Sequence, residues 1–493
     1  MSKEDPELAI REQTETEIEK RDRAEDHSLS LSALSVSSRP LSALKADPAL
    51  PFLEMAWSPS QMLDFFNHRV LPTVRPHWEA TAVTINDMLY KPGAKCEILY
   101  SLQLGDPPRG QRQRVVVTFA KKNSLQEIYR RHYGGDGSAP PQPTSRPGVF
   151  LPEYGCLVEF FPLDWKLPCL AWAMEPKEMA SLLSQDGSAV ERASSGWLPR
   201  VKVLQYRLHR RCTLRYIMDA ADSSGPKEVI GKVHHPGSLA VQVAQTQIAL
   251  QVQGAAYGVI IPKPLRVMEE WGFLLMERVP GTVMKSIVQH VRVPQQLIEF
   301  IGLAAATLAS LHRLHFESQK VQSLQTQVEQ LRGRAASLHL VAPLLAQEVD
   351  VRLQQIERLG AQCPTVAQTF VHGDFSPGQL LIEKDQIAVI DFDAVCLGDP
   401  ALDVGNFMAI LHSTAVCRAH NAFRQLATHF LSEYQARLPE HGVVDRVHLF
   451  LSASLVRLAL RAFERWPDDY GQTGFDSLPA LLLQEAAACL DRH

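Results

Sequence analysis

The segment FVHGDFSPGQLLIEKDQIAVIDFD, residues 370–393, decides the fold. Two short apolar runs flank a turn-rich loop that contains His372, Asp374 and Gln379, and a second carboxylate, Asp391, ends the next apolar run. A carboxylate beside a buried strand needs a metal, a proton donor or a basic side chain as its partner, because an unpaired buried charge is costly. The pattern therefore predicts that Asp374 and Asp391 serve a functional centre.

Length and composition indicate an ordinary globular protein. The 493 residues predict about three domain-sized units, and the net charge of -4 argues against a general nucleic-acid binder. The eight cysteines form no CxxC pair and have no histidine at zinc-finger spacing, which disfavours a metal knuckle and a disulfide framework. We find no signal peptide pattern and no long apolar run, so we expect a cytoplasmic protein without a membrane partner.

The chain divides by its pattern into four parts. Residues 1–50 are charged and then Ser-rich, which predicts a disordered tail, and the stretch GGDGSAPPQPTSRPG at 134–148 predicts a loop. From about residue 290, long amphipathic patterns predict helices. We expect one α+β unit at 51–185, a second at 195–281, and a helical lobe at 282–493.

The two α+β units resemble each other. YKPGAKCEILY (90–100) and YRLHRRCTLRY (206–216) share two tyrosines, a basic second residue and a cysteine at the same spacing, and their alternation predicts β-hairpins. Each is followed by an apolar run, a predicted helix, and an apolar segment that ends in Glu with Pro three residues later. Duplication explains this order better than chance. The second unit carries Lys232 in its third strand, and the first has a position close to Thr118 there.

A sheet with one lysine, a linker, and a helical lobe that contains HGD and VIDF is similar to the aminoglycoside phosphotransferase and choline kinase family. The resemblance covers about 195–480 and is strongest in HGDFSPGQLL, VIDFD and GDPALDVG. It implies an α+β, two-lobed protein-kinase-like fold, with a mixed or antiparallel sheet lobe and a mainly helical lobe. The unit at 51–185 would be an additional, degenerate copy of the sheet lobe.

The resemblance also implies roles for individual residues. Asp374 would be the catalytic base for the acceptor hydroxyl, while Asp391 and Gln379 would bind Mg²⁺. The implied ATP-binding residues are Lys232, Arg210 and Arg211, together with the backbone of Met276, Glu277 and Arg278, and Gly281 would relax the link between the lobes. His372 is expected to brace the loop rather than act as a base. Asp399 and Asp403 are expected to be structural, one of them by holding the catalytic loop.

The sequence departs from the family pattern in three ways. Gln379 stands where the family has Asn, and no Gly-rich phosphate loop is visible. No acidic residue lies between Glu228 and Glu269, so Lys232 lacks a helix carboxylate, and Gln245 or Gln247 would be its neutral substitutes. Because of these departures, we consider two functions, one with and one without phosphotransfer activity.

The first hypothesis is an ATP- and Mg²⁺-dependent kinase that phosphorylates a hydroxyl of an aminoglycoside, an amino alcohol or a sugar. The alternative is a pseudokinase, a nucleotide-binding or scaffold protein that could use the N-terminal repeat to bind a protein partner. A His/Asp metallohydrolase is disfavoured, because His372 and Asp374 lie on one tight loop with no further histidine at ligand spacing. The acidic residues Glu464, Asp468 and Asp469 would either hold a cationic acceptor or, as we favour, form a solvated face.

Overall fold

The computed structural model describes residues 46–105, 111–133, 148–184, 198–218, 227–290, 294–318, 320–364, 366–467 and 476–491. The tail predicted at 1–50 lies outside the described residues except for 46–50, and so does the predicted loop at 134–148 except for its last residue. None of the helices in these ranges is long and apolar enough to cross a bilayer.

A short helical segment and a five-stranded antiparallel sheet form the first unit. The helical segment contains α1 (Leu53–Trp57), α2 (Pro59–Phe65), a π-helical turn (Phe66–Val70) and α3 (Leu71–Val74). The sheet contains β1 (Ala80–Lys91), β2 (Lys95–Leu104), β3 (Gln111–Ala120), β4 (Val149–Leu151) and β5 (Cys156–Phe160), with α4 (Lys122–Tyr133) between β3 and β4. The strand order is β1-β2-β3-β5-β4.

The second unit repeats this arrangement after two connecting helices, α5 (Leu170–Ala173) and α6 (Pro176–Ser184). Its strands are β6 (Arg200–Arg207), β7 (Arg211–Met218), β8 (Lys227–Val233), β9 (Pro264–Met268) and β10 (Phe273–Glu277), with α7 (Leu239–Ala256) between β8 and β9. The order β6-β7-β8-β10-β9 matches that of the first sheet. Both predicted hairpins are present, because β1 pairs with β2 and β6 pairs with β7.

Alternation of side chains explains how the second sheet packs. In β7 every second residue is buried, as expected for a strand whose one face lies on a core. Tyr216 on the buried face donates its hydroxyl to the carbonyl oxygen of Ala173 at the end of α5, 2.8 Å away. Helices α5 and α6 therefore cover this face, and the opposite face is left for the site.

The rest of the chain forms a helical lobe. Its helices are α8 (Met284–His290), α9 (Pro294–Leu311), α10 (Leu324–Ala335), α11 (Leu338–Val341), α12 (Pro343–Gly360), α13 (Ala401–Arg418), α14 (Ala422–Arg437), α15 (Val447–Arg465) and α16 (Leu478–Leu490). Its short strands are β11 (Thr282–Val283), β12 (Val321–Gln322), β13 (Thr369–Val371), β14 (Leu380–Glu383), β15 (Gln386–Val389) and β16 (Cys396–Gly398). Their orders are β11-β14-β15 and β12-β16-β13. An antiparallel sheet lobe followed by a mainly helical lobe confirms the predicted α+β class.

The turn between β6 and β7 inserts a histidine into the first unit. His209 is buried with a left-handed φ of 49°, its Nδ1 lies 2.8 Å from Oδ1 of Asp164, and its Nε2 lies 3.3 Å from Oγ1 of Thr118. Thr118 is at the register position that Lys232 occupies in the second sheet, one residue before the partner of the shared cysteine. The lysine position of the first unit is thus in contact with a side chain of the second.

The electrostatics of this contact make His209 a cation. Burial acts to lower its pKa, but the carboxylates of Asp164 and Glu159 raise the pKa of His209 to about 9. Burial in turn raises the pKa of Glu159 to about 7, against the influence of His209. At neutral pH His209 is therefore protonated, and its ion pairs connect the second sheet to the first unit. We call this contact the ionic anchor.

Replacing His209 should change the pH dependence of stability. Folding raises the pKa of His209 from 6.5 to about 9, so the protonated histidine stabilises the folded state. This contribution is complete below pH 6.5 and is lost as the pH rises through 9. We expect the difference in melting temperature between wild type and His209→Asn to be largest near pH 6 and to shrink towards pH 9.5. Differential scanning calorimetry across this range measures it, with the exposed His68→Asn as the matched control. A difference that is constant or grows with pH would contradict the ionic anchor.

Candidate active site

The site is built on the loop between β13 and β14, which holds the HGD sequence. At Gly373 φ is 78°, and a Cβ atom would lie 2.3 Å from the carbonyl oxygen of Ala394, so no other residue fits this turn. A 3-10 helix, Pro377–Gln379, then leads into β14. The loop places Asp374 in front of the turn that follows β15, where Asp391 lies.

Asp403, at the start of α13, fixes the backbone of this loop. Its fully buried carboxylate accepts the backbone N–H of His372 at 2.6 Å and that of Gly373 at 2.9 Å, and it lies 3.2 Å from Nε2 of His312. Nε2 of His372 lies 3.1 Å from the carbonyl oxygen of Ile390 and braces the loop against the strand that precedes Asp391. His372 is thus engaged with the backbone, as expected for a structural residue.

The structure separates the two aspartates that the sequence had grouped as structural. Asp403 holds the loop, whereas Asp399 accepts the backbone N–H of Ala401 at 2.9 Å and pairs with Nε of Arg446 at 2.7 Å. Asp399 therefore caps α13 and fixes it to the segment before α15.

Four charged side chains from the two lobes meet at Asp391. Lys232 on β8 places Nζ 2.6 Å from a carboxylate oxygen of Asp391 and 2.6 Å from one of Asp393. Arg211, at the start of β7, binds Asp391 with both terminal nitrogens, at 2.7 and 2.5 Å, and reaches Asp393 at 2.7 Å. We call these four residues the charge knot. It contains two cations and two carboxylates.

Burial makes the charge knot electrostatically strong. The side chains of Lys232 and Asp391 are both 8% exposed. Burial alone would raise the pKa of Asp391, but the charges of Lys232 and Arg211 hold it well below its ordinary value. Burial lowers the pKa of the neighbouring His234 to about 4, so this histidine is neutral and leaves the balance of the knot unchanged. Asp391 is therefore a permanent anion in this site.

The predicted partners of Lys232 were wrong. No glutamine of α7 makes a hydrogen bond to its ammonium in the described part of the chain, and the buried Oε1 of Gln247 has no partner at all. The second carboxylate for Lys232 is Asp393, which replaces the helix glutamate that the chain lacks. Asp393 is the second Asp of VIDFD, and the sequence alone had assigned it no role.

Asp374 lies beside a second set of side chains that the sequence analysis missed. Its carboxylate accepts from Nε2 of Gln379 at 3.2 Å and lies 3.4 Å from Nη1 of Arg457 on α15. Arg457 also donates to Oδ1 of Asn406 at 3.0 Å, and Asn406 donates to the carbonyl oxygen of Gly373 at 3.2 Å. Arg457 is thus a positioning residue for Asp374. Its only signal in the sequence is its place in a helix with arginines four and eight residues later.

The oxygen ligands around Asp391 suit a magnesium ion. Mg²⁺ is bound through one or two carboxylates, with waters and nucleotide phosphates completing its shell. Asp391 supplies a permanently ionised carboxylate, and the amide oxygen of Gln379 is the second predicted ligand. Among the described residues the one close cluster of three potential ligands is His412, Glu485 and Cys489, but there Arg424 and His412 already bind Glu485. Asp391 is likewise bound by Lys232 and Arg211, so a magnesium ion there would have to displace these cations from the carboxylate.

The other predicted nucleotide contacts lie on the rim of the second sheet. Met276 and Glu277 end β10, where the backbone N–H of Glu277 is bound to the carbonyl oxygen of Lys263 at 2.9 Å, and Arg278 pairs with Glu228 at 2.8 Å. Arg210 is exposed in the β6–β7 turn and takes no part in the charge knot. The link to the helical lobe requires glycine at position 281, because φ is 127° there and a Cβ atom would lie 2.9 Å from the carbonyl oxygen of Ile382.

Comparison with known proteins identifies the class. The family described as the phosphotransferase enzyme family matches residues 191–439, just over half of the chain. The chain belongs to this family, which confirms the resemblance seen in its motifs. A comparison with curated proteins gave no match.

Solved structures with a similar fold include enzymes of the two predicted kinds. A choline kinase from Cryptosporidium parvum Iowa II is 14% identical, the match covers 64% of this chain and 97% of that one, and the TM-score is 0.45. A thermostable mutant of aminoglycoside phosphotransferase APH(4)-Ia is 16% identical, with 59% and 94% coverage and a TM-score of 0.41. An ethanolamine kinase from Plasmodium vivax is 12% identical, with 59% and 81% coverage and a TM-score of 0.39.

The role of Asp403 can be tested by Asp403→Asn. The amide can offer one oxygen to the loop, so one buried backbone N–H of the pair at His372 and Gly373 loses its acceptor. We expect a loss of about 1–3 kcal/mol in the free energy of unfolding. Urea denaturation followed by fluorescence measures the change, and the exposed Asp445→Asn is the control. Equal stability of the two variants would show that Asp403 does not hold the loop.

Proposed function

We propose that this protein is an ATP-dependent phosphotransferase that uses Mg²⁺ and phosphorylates a hydroxyl group of a small molecule. The observation that carries the proposal is the charge knot and its connection to Asp374. A lysine from the sheet lobe reaches the permanently ionised Asp391. Gln379 joins the two aspartates, because its side chain donates to Asp374 and its carbonyl oxygen accepts the backbone N–H of Ile390. A phosphotransferase needs both cations for phosphates and carboxylates for metal and proton.

Each residue would then have one task. Asp391, with Gln379, would hold Mg²⁺, which neutralises phosphate charge when it is bound. Lys232 and Arg211 balance Asp391 in the nucleotide-free protein, and their three to five N–H donors suit phosphate oxygens equally well. Asp374 would orient the acceptor hydroxyl and take its proton, while Arg457 and Gln379 keep the carboxylate in place.

The first sheet would not bind a nucleotide. Thr118 stands at the register position of Lys232 and cannot supply its charge, and His209 already contacts it. We therefore propose that the chain comprises a sheet unit at 51–185 without nucleotide, a nucleotide-binding sheet lobe at 195–281, and a helical lobe at 282–493 with the catalytic loop. The task of the first unit would be to hold the β6–β7 turn and to supply part of the wall near α15.

One observation favours the pseudokinase alternative. Arg211 binds Asp391 with two parallel hydrogen bonds, an arrangement stronger than a single-point ion pair, so the metal must compete with it. If Arg211 never leaves Asp391, the protein would bind a nucleotide without the metal geometry that transfer requires. Metal dependence therefore separates the two functions.

Substitutions at the two aspartates should have different effects. Asp391→Ala removes the carboxylate for Mg²⁺, so nucleotide binding should no longer depend on the metal. Asp374→Asn should leave nucleotide affinity almost unchanged but lower turnover by about 10²- to 10⁴-fold, the usual contribution of a positioned general base. Calorimetric titration of ATP with and without Mg²⁺, together with ADP formation over a broad panel of hydroxyl acceptors, measures both. Equal loss of binding in both variants would contradict the separate roles.

Gln379→Asn tests whether the longer amide is compatible with catalysis. In an enzyme adapted to glutamine, the shorter side chain should leave turnover within about tenfold of wild type, roughly 1.4 kcal/mol of barrier. The control is Gln379→Leu, which removes the amide and should abolish turnover. If wild type and Gln379→Asn both bind magnesium and ATP but phosphorylate no acceptor of the panel, the pseudokinase function replaces the proposed one.

A further inference from the structure

Five basic side chains that do not belong to the charge knot lie near Asp374 and along α15. Three of them, Arg457, Arg461 and Arg465, belong to α15, while Arg207 ends β6 and Lys285 is the second residue of α8. We call these five residues the basic cluster. Residues four apart lie on the same face of a helix, so the three arginines form one row.

Direct contacts fix where this row lies. At one end Arg457 is 3.4 Å from Oδ1 of Asp374, and at the other end Nε of Arg465 is 3.2 Å from Oδ1 of Asp87 on β1. Helix α8, which carries Lys285, packs against the 3-10 helix Pro377–Gln379 of the catalytic loop. The basic cluster therefore occupies the space between the catalytic loop, α8 and the first sheet.

The cations of the cluster act strongly on one another. Burial, followed by the charges of Arg465 and Arg207, lowers the pKa of Arg461 to about 10. Burial and then the charges of Arg461 and Arg465 lower the pKa of Lys285 as well. The side chains of Arg461 and Lys285 are nevertheless exposed to solvent, so a ligand can reach them.

Most of these charges have no protein partner. Within the described part of the chain, Arg207, Lys285 and Arg461 make no side-chain hydrogen bond or ion pair. The carboxylates that act on the five cations are Asp374, Asp87 and, at Arg207, Asp391 of the charge knot. Like charges held together without counter-charges destabilise the fold, and such a focused positive field raises the local concentration of anions.

We infer that the acceptor is an anion: a small hydroxyl-bearing molecule whose phosphate or carboxylate group is held by Arg461, Lys285 and Arg207 while its hydroxyl faces Asp374. This inference rests on the proposed phosphotransfer and narrows its substrate class. Guanidinium groups bind phosphates and carboxylates with paired hydrogen bonds, and an ammonium adds a point charge. Amines would be repelled by the same field.

One of the acidic residues considered for a cationic acceptor already has a cation as its partner. Glu464 forms an ion pair with Arg334 at 2.9 Å. Asp468 and Asp469 lie outside the described residues. The cations of the charge knot, Lys232 and Arg211, are bound to Asp391 and Asp393, and the knot adjoins the basic cluster at Arg207, which pairs with Arg211 across the hairpin.

The test is direct binding of probes that differ in charge. The full-length protein, saturated with magnesium and a non-hydrolysable ATP analogue, is titrated with glucose 6-phosphate, gluconate, glucose and glucosamine. The bound nucleotide occupies the phosphate positions at the charge knot, so that only a second anion site is measured. We expect glucose 6-phosphate or gluconate to bind at least tenfold more tightly than glucosamine, with glucose between them. The two anions distinguish a phosphate site from a carboxylate site.

Variants of the basic cluster test whether the anion binds there. The double variant Lys285→Gln/Arg461→Gln should weaken the binding of the anion at least tenfold, whereas Arg461→Lys, which keeps the charge, should weaken it much less. Arg332→Gln removes an exposed arginine that pairs with Glu357 elsewhere on the helical lobe, and it should have no effect. Thermal denaturation checks that all variants fold, which is expected because Lys285 and Arg461 hold no protein partner.

Three results would overturn the inference: no binding of either anion to wild type, tighter binding of glucosamine, or unchanged anion binding by the double variant. Failure of the phosphotransfer itself gives a different result. In that case the wild-type protein binds the anion and the double variant loses this binding, but the wild-type protein forms no ADP from ATP with any probe. If the protein binds no nucleotide, the same titration without it still decides whether the basic cluster is an anion site.

Discussion

The charge knot is the interaction on which the rest of the site depends. Arg211 and Lys232 come from neighbouring strands of the second sheet, and Asp391 and Asp393 come from one turn of the helical lobe, so these ion pairs connect the two lobes where the site lies. Removing one partner of such a buried group leaves an uncompensated charge, which costs about 3–5 kcal/mol. The same ion pairs therefore determine both the relative position of the lobes and the ionisation of Asp391.

The use of Asp393 has a consequence for how the lobes are coupled. In this chain α7 contains no carboxylate, so no helix of the sheet lobe orients Lys232. Its orientation instead comes from the turn that also carries Asp391, the predicted ligand of the metal. A ligand that draws Lys232 or Arg211 away from Asp391 also weakens the connection between the lobes. The proposed nucleotide binding would therefore be linked to the lobe position through the same four side chains.

Local patterns predicted the fold and the centre of the site, whereas contacts between distant segments could not be predicted. The alternation in 206–216 fixes a hairpin, and HGD and VIDFD lie at loop ends whose strands are adjacent in sequence. Arg457 meets Asp374 from 83 residues further along the chain, and His209 reaches Thr118 of another unit. Such contacts depend on how helices and sheets pack, so the arginines of α15 had no signal beyond their spacing.

The charge knot and the basic cluster differ in electrostatic balance. On the side of Asp391 each buried cation faces a carboxylate, so the nucleotide-free protein is balanced there and needs no ligand for its stability. On the side of α15 the cations outnumber the carboxylates, and their repulsion opposes folding. Neutral side chains at Lys285 and Arg461 would relieve this repulsion without breaking a hydrogen bond. An anionic ligand next to Asp374, as proposed, would supply the missing counter-charge.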